Sequence, residues 1–301
     1  MKKNTIIISA IAVAAIALLF VFSVQVARLI LGEGLAVSSG EGVGYVEVKG
    51  PILESEETVK QLNDMRKKTN VKAVVLRIES PGGVIGPSQE IYEAVKKLAK
   101  TKKVVVSMGS VAASGGYHIA IPAAVIYANP GTITGSIGVL MKLSNVEGLL
   151  DKVGMKAFTI KSGKFKDAGS PIRTLTEEDR ALLQGVIDNL HGQFVKAVAE
   201  ARKLPVEEVR RLADGRVYTG EQAVALKLLD RLGTLEDAVE EAGRLAGIKG
   251  EPTLIMPPKK RKHLKDYLLE ETSGIFREAV RREGGFSVNY ELDPAVGTAG
   301  H

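Results

Sequence analysis

Two nearly continuous apolar runs, "KAVVLRIES" and "KVVVSMG", separated by the amphipathic stretch "PSQEIYEAVKKLAKT", constrain this chain more than any other feature. A strand that is apolar at successive positions must be covered on both faces, unlike the strands of an antiparallel sheet with one wet face. A helix-length connection between two such strands is what a parallel pair requires. The alternation continues on either side. "GYVEVKGPIL" reads as a strand and "SEETVKQLNDMRKKT" as a helix, with Ser55 as its cap and Glu56 and Glu57 in its first turn. "AVIYANP" and "TITGSIGVLM" read as further strands, "NVEGLLDKVG" as a helix and "KAFTIKSG" as another strand. One long helical pattern runs from Leu175 to Lys203 with Thr176 as its cap, and "PVEEVRRLAD", "TGEQAVALKLLDRLG", "LEDAVEEAGRLAG" and a strand-like "TLIM" close the body. The fold class that follows is α/β, a parallel sheet flanked by helices.

Composition narrows the function classes. The 301 residues are 45% hydrophobic and 25% charged, a globular balance. The net charge of +6 comes from Lys2, Lys3 and the basic run between Lys259 and Lys265, so the body is nearly neutral and no nucleic-acid partner is expected. The absence of cysteine excludes disulfides, thiolate metal sites and a cysteine nucleophile together. Asn4 to Ala27 carries no charge and is long enough to span a bilayer, which takes about 20 residues. Lys2 and Lys3 before it keep the N-terminus cytoplasmic and send the body across the membrane. A cleaved secretory signal, whose apolar region runs about 7 to 15 residues, is the alternative and puts the body on the same side. The organisation expected is a cytoplasmic stub and transmembrane anchor over 1–28, a linker over 29–43, one catalytic domain over 44–257, and a basic, partly helical, flexible tail over 258–301.

Two strand ends carry unusual turn chemistry: "ESPGG" (Glu79 to Gly83) follows one buried strand and "MGSVAASGG" (Met108 to Gly116) the next. In a parallel sheet both emerge at the carboxyl edge, side by side, where ligands of open α/β sheets bind. Gly83 and Gly115 can each turn a backbone N–H toward a developing oxyanion, facing a hydroxyl at Ser114. On "ASGG" alone, a helix-capping serine with glycines for close packing is the better account of the pattern, and the G-x-S-x-G elbow is not met. Two such turns at successive strand ends, followed by "TGSIGV" and "KSGKFKD", favour a site. A serine nucleophile needs a base. His118, four residues on, reads as a core or pocket-wall residue; a lysine is the alternative, and spacing leaves Lys161, Lys164 and Lys166 all open.

"ESPGG", "MGSVAASGGYHIA", "TGSIGV", "KSGKFKD" and "GRVYTGEQAVALKLLDRLG", in this order over roughly Gly44 to Gly247, resemble the signal peptide peptidase A family of membrane-bound Ser/Lys peptidases, in its single-length bacterial form. The resemblance implies a fold shared with ClpP and the crotonases. It implies Ser114 as nucleophile, Lys166 as general base, Ser136 holding that base, and Gly83 with Gly115 as the oxyanion hole. It further implies a homo-oligomer whose sites are shared between subunits, and a location in the bacterial cytoplasmic membrane as a single-pass protein with the catalytic domain outside. The substrates implied are remnant signal peptides and other membrane-derived polypeptides, with no cofactor and no metal. Glu79 stands where the family more often has Asn, a carboxylate that could alter pH dependence, and "LKLLD" departs from the commoner L-G-L-V-D. A catalytically silent membrane scaffold and a crotonase-like acyl-CoA enzyme are the competing functions.

Overall fold

The computed structural model describes residues 18–23, 40–257 and, for its backbone, 288–291. The chain divides into two units, Met1–Gly40 and Glu41–His301. In the first, 18–23 is helical (α1), with Leu18, Leu19, Phe20, Val21 and Phe22 all exposed. The rest of the apolar stretch from Asn4 to Ala27 lies outside the described residues, and among the described residues no helix is long and apolar enough to cross a membrane. The basic run after Pro257 and the amphipathic segment from Leu264 to Arg282 also lie outside them.

The second unit is built on β1 (Gly42–Lys49), β2 (Val71–Ser80), β4 (Lys103–Ala113) and β5 (Val125–Ala128), side by side in that order and parallel. Two-residue strands extend the row at its ends, β10 (Leu254–Ile255) beside β1 and β9 (Arg231–Leu232) beside β5. β6 (Ile133–Gly135) continues parallel to the upper half of β4 and pairs antiparallel with β8 (Val217–Thr219).

The apolar runs are buried on both faces, as their patterning requires. Val74, Leu76 and Ile78 of β2 enter one core with Leu62 and Met65 of α2 (Glu56–Lys67), Ile91 and Leu98 of α3 (Ile85–Ala99) and Phe194 of α6 (Glu177–Arg202). The intervening Ala73 and Val75 enter the other core, with Val105 of β4 and Ala238 and Ala242 of α9 (Leu235–Leu245). Each large aliphatic chain so buried contributes roughly 1.5 to 3 kcal/mol. Thr176 caps α6 as expected: its hydroxyl accepts from the Asp179 N–H while the Asp179 carboxylate accepts from the Thr176 N–H.

Four local expectations are corrected. Ser55 sits at the N-cap of α2, but its backbone is already in the αR region (φ −107°, ψ −24°) and not in the extended conformation of a capping residue; its hydroxyl makes no capping bond and donates to the Glu90 carboxylate. "KAFTIKSG" is not a strand: it has no neighbouring strand to ladder with, and Phe158 and Ile160 stand 87% and 102% exposed on an irregular arm after α5 (Glu147–Lys152). "TGEQAVALKLLDRLG" is helical only over α8 (Gly220–Ala225), after α7 (Val206–Leu212) and β8. Lys227 then takes a left-handed φ of 60° and the chain turns into β9. The end of the tail, expected to be loose, contains β11 (Val288–Glu291), the middle strand of a small antiparallel sheet between β3 (Gly82–Val84) and β7 (Leu140–Met141).

Candidate active site

The site is made where β4 outruns β2. Ile78 pairs with Met108, and the next registered pair is Ser80 with Ala112, so β4 bulges over Gly109 to Val111. A bulge leaves backbone groups without ladder partners, and here side chains take them up. The Glu79 carboxylate accepts from the N–H groups of Ser110 (2.9 Å) and Val111 (3.2 Å). The Thr132 hydroxyl donates to the Gly109 carbonyl at 2.6 Å, and the Thr134 hydroxyl to the Ala112 carbonyl at 2.7 Å. A Cβ on Gly109 would lie 1.7 Å from Glu79 Oε2, so a larger residue there would push the carboxylate off the bulge. Glu79, the carboxylate that departs from the family pattern, is therefore a strap on the bulge. The two threonines gave no signal in sequence beyond their β-branched type.

The bulge delivers Ser114 to the junction of β4 and the short helix α4 (Gly115–Ala120). Ser114 has φ 53° and ψ −115°, a conformation that costs a residue with a Cβ of order 1 to 3 kcal/mol and persists only where the surroundings enforce it. They do: its N–H donates to the Gly135 carbonyl at 2.8 Å and its carbonyl accepts from the His118 N–H at 2.8 Å. Ser114 occupies the N-cap position of α4, yet its hydroxyl makes no capping bond. The hydroxyl is buried, the residue being 1% exposed, and has no hydrogen-bond partner among the described residues. A buried, unspent hydroxyl on a strained turn is the signature of a group held for chemistry rather than stability.

The glycines around it are spatially forced. A Cβ on Gly116 would lie 2.7 Å from the Ser80 carbonyl oxygen; one on Gly115 would lie 2.7 Å from Ser88 Oγ and 3.3 Å from the Gly83 nitrogen; one on Gly83 would meet the Ile52 backbone at 2.2 Å. The two glycine turns thus interlock, and the Gly83 amide lies beside Gly115, next to Ser114. Ser136, 6% exposed, follows Gly135 on the adjoining strand; it too has positive φ, 49°, and its N–H donates to the Arg216 carbonyl at 2.9 Å.

His118 is a core residue, as expected. Its ring stacks on Tyr92 at 4.6 Å and meets Phe194 edge-on at 5.0 Å, and burial lowers its pKa to about 4, against a smaller opposing effect of a backbone bond at Ser88.

The three candidate lysines lie on the exposed arm between α5 and α6, and the structure separates them. Lys161 donates to Asp167 at 2.5 Å and to the Lys164 carbonyl at 2.9 Å, while Lys164 pairs with Glu178 at 2.5 Å. Lys166 is exposed and has no ion pair among the described residues. Its loop is held by Arg173, which donates through Nε and Nη2 to both Asp167 carboxylate oxygens (3.0 and 2.9 Å) and through Nη1 to Asp179 at 2.6 Å. Bonds from Arg173 and then Lys161 hold Asp167 well below the usual carboxylate range, and the Arg173 bond holds Asp179 down to about 2. Sequence reasoning missed this clamp, because Arg173 belongs to no motif. Within one chain the arm does not bring a base to Ser114.

The profile of peptidase family S49 matches residues 96–249, and that of Clp protease matches 47–127. A relative from Synechocystis sp. is 46% identical over 74% of this chain and 82% of its own length. Protease 4 of Salmonella typhi is 38% identical over 70% of this chain, and the chloroplastic serine protease SPPA of Arabidopsis thaliana 35% over 69%. This chain spans only 36% and 32% of the lengths of those two. A scaffold without activity and an acyl-CoA enzyme both give way to this kinship: half the chain and both glycine turns fall within matched segments, and the chain belongs to peptidase family S49 as a serine peptidase.

Proposed function

We propose that this protein is a membrane-anchored endopeptidase using Ser114 as nucleophile and Lys166 as general base, acting on remnant signal peptides and other membrane-derived polypeptides. The observation that carries this reading is the Ser114 hydroxyl: buried, unbonded, on a strained turn beside the Gly83 amide. Neutral Lys166 takes the hydroxyl proton as Ser114 Oγ adds to the scissile carbonyl, whose oxygen turns to the amides of Gly83 and Gly115. The lysine returns the proton to the leaving amine, then deprotonates a water that hydrolyses the acyl-enzyme. Ser136 hydrogen-bonds the lysine amine and orients it.

A lysine can act as a base only when low-dielectric surroundings disfavour its charged form. Lys166 is exposed in one chain and Ser114 buried, so the reading requires a second copy to close the dyad. The arm supports this, with Leu149, Val153, Met155, Phe158 and Ile160 between 60% and 102% exposed on the segment that leads to Lys166. So much apolar surface in one segment marks an interaction face. The exposed apolar side chains of 18–22, inside an uncharged stretch preceded by Lys2 and Lys3, support anchoring with the catalytic unit on the extracytoplasmic side.

The test is cleavage of a fluorogenic peptide with an apolar residue before the cut, by the full chain in detergent micelles. Ser114→Ala and Lys166→Ala should each abolish turnover, and an equimolar mixture should recover part of it, since one active pair can form across two damaged copies. A Lys166→Ala enzyme at the wild-type rate would refute the dyad; two dead variants whose mixture stays dead would refute the sharing of sites.

A further inference from the structure

Gly82 and Gly83 are consecutive, so the peptide between them has no Cβ on either side to resist rotation. Gly82 uses that freedom, with a φ of 102° that a side chain would strain. A trans peptide points its carbonyl and its N–H in opposite directions. Where the Gly82 carbonyl points therefore decides where the Gly83 N–H points, and the Gly83 nitrogen lies beside Gly115, next to Ser114.

Three hydrogen bonds fix this peptide. The Gly82 carbonyl accepts from the Ile52 N–H at 2.8 Å, and the Val84 N–H donates to the Ile52 carbonyl at 2.8 Å, so Ile52 bridges Gly83 as a parallel partner. The Gly82 N–H donates to Ser80 Oγ at 3.2 Å. Both partners are themselves anchored. The Ile52 side chain is buried in the larger core, Pro51 before it has a fixed φ, and the Gly50 N–H donates to the Glu79 carbonyl at 2.9 Å. Ser80 is fully buried and lies opposite Ala112 on β4. With its carbonyl taken by Ile52, the peptide turns the Gly83 N–H to the far side of β3 from Ile52.

We propose that Ser80 and the Ile52 backbone are positioning residues for peptide hydrolysis: they hold the Gly82–Gly83 peptide in the one orientation that aims the Gly83 N–H at the oxyanion. The inference rests on the reading of Ser114 as nucleophile and Gly83 as oxyanion donor. Rotated by half a turn, the same peptide presents a carbonyl oxygen where negative charge must develop, and a Gly–Gly peptide without its clamp has access to both orientations.

The experiment uses the full chain in detergent micelles, with the fluorogenic peptide and with a peptide aldehyde of the same sequence as inhibitor. Ser114 Oγ bonds to the aldehyde carbon, its proton passes to Lys166, and the former carbonyl oxygen takes the negative charge, so aldehyde affinity reads the oxyanion site itself. Ser80→Ala removes the acceptor of the Gly82 N–H. It should lower kcat and weaken aldehyde binding by the same factor, roughly three- to tenfold, and leave KM within about twofold of wild type. Ile52→Pro deletes the N–H that holds the Gly82 carbonyl and should cost roughly 100-fold in kcat, as loss of an oxyanion donor does. Thermal melting followed by circular dichroism shows whether each variant folds; where the proline variant does not, Ser80→Ala decides alone. Wild-type kcat in Ser80→Ala, a fall in its kcat with aldehyde affinity unchanged, or a folded Ile52→Pro at the wild-type rate overturns the inference. Ser114→Ala is assayed in parallel: if it turns over at the wild-type rate, the Ser114 reading itself has failed; if it is inactive while Ser80→Ala matches wild type, only the clamp is lost.

Discussion

The N–H of Ser114 donates to the carbonyl of Gly135 at 2.8 Å, and this bond ties the tip of β4 to the turn that carries Ser136. Ser114 and Ser136 both sit at positive φ, 53° and 49°, on either side of it. Strain of this kind persists only when neighbours over-determine it, so the pair of turns should behave as one mechanical unit.

Gly135 is the place to probe that unit. It has φ 76°, and a Cβ there would lie 2.5 Å from Cδ2 of Tyr218, whose hydroxyl is fixed to the Leu212 carbonyl at 3.0 Å. Gly135→Ala should lower stability in denaturant titration by about 1 to 3 kcal/mol. It should also lower kcat by roughly tenfold, by shifting both serines. An alanine variant with wild-type kcat would show that the turns are not coupled.

The interlock of the glycine turns makes a second prediction. Gly115→Ala puts a methyl 2.7 Å from Ser88 Oγ and 3.3 Å from the Gly83 nitrogen, spreading the two proposed oxyanion donors. Loss of one such donor elsewhere costs roughly 100- to 1,000-fold in kcat, and a loss in that range is expected here with KM little changed. Adding Ser88→Ala removes the nearest obstacle and should restore part of the rate. Undiminished kcat in Gly115→Ala would place the oxyanion site elsewhere.

Arg173 should act as a positioning residue for Lys166. It reaches Asp167, the next residue after Lys166, and Asp179 in the capping box of α6, and so fixes the arm to a helix end. Arg173→Ala should cut kcat by roughly tenfold or more. Arg173→Lys should rescue little, since one ammonium cannot replace a fork bonded to two carboxylates. Lys161→Ala and Lys164→Ala should stay within about threefold of wild type in a parallel assay, because neither is asked to move a proton; a large loss in Lys164→Ala alone would reassign the base.

The parts legible in the sequence were those set by local pattern. The runs around Val74 and Val105 had to be doubly buried, and they are, with odd and even positions dividing between two cores. The glycines at 83, 115 and 116 signalled close backbone approach, and each proves to face main chain or a fixed side chain. What escaped depends on contacts distant in sequence. Nothing local tells that Glu79 would be spent on the amides of Ser110 and Val111, that the Ser55 hydroxyl would reach Glu90 on the next helix, or that Arg173 would clamp the arm. "KAFTIKSG" had the composition of a strand, but a strand needs a neighbour, and its own chain supplies none. β11 escapes in the opposite sense: four residues without strong periodicity form a strand through pairing with β3 and β7, both distant in sequence.

His118 predicts how stability should depend on pH. Its ring is 4% exposed between Tyr92 and Phe194, and burial lowers its pKa to about 4 from an unfolded value of 6.5. A group whose folded pKa lies below its unfolded one favours the native state fully above the unfolded value. That contribution is lost as pH falls from 6.5 toward 4, where the unfolded chain binds a proton that the folded chain does not. The loss over that window is on the order of 3 kcal/mol at 1.36 kcal/mol per unit. Denaturant titrations of wild type and His118→Phe at a series of pH values isolate it from the carboxylates that titrate in the same range. The phenylalanine variant keeps the aromatic stack and should show a shallower decline below pH 6.5, with the two curves converging as acidity rises; parallel curves would mean that His118 titrates normally in the folded protein.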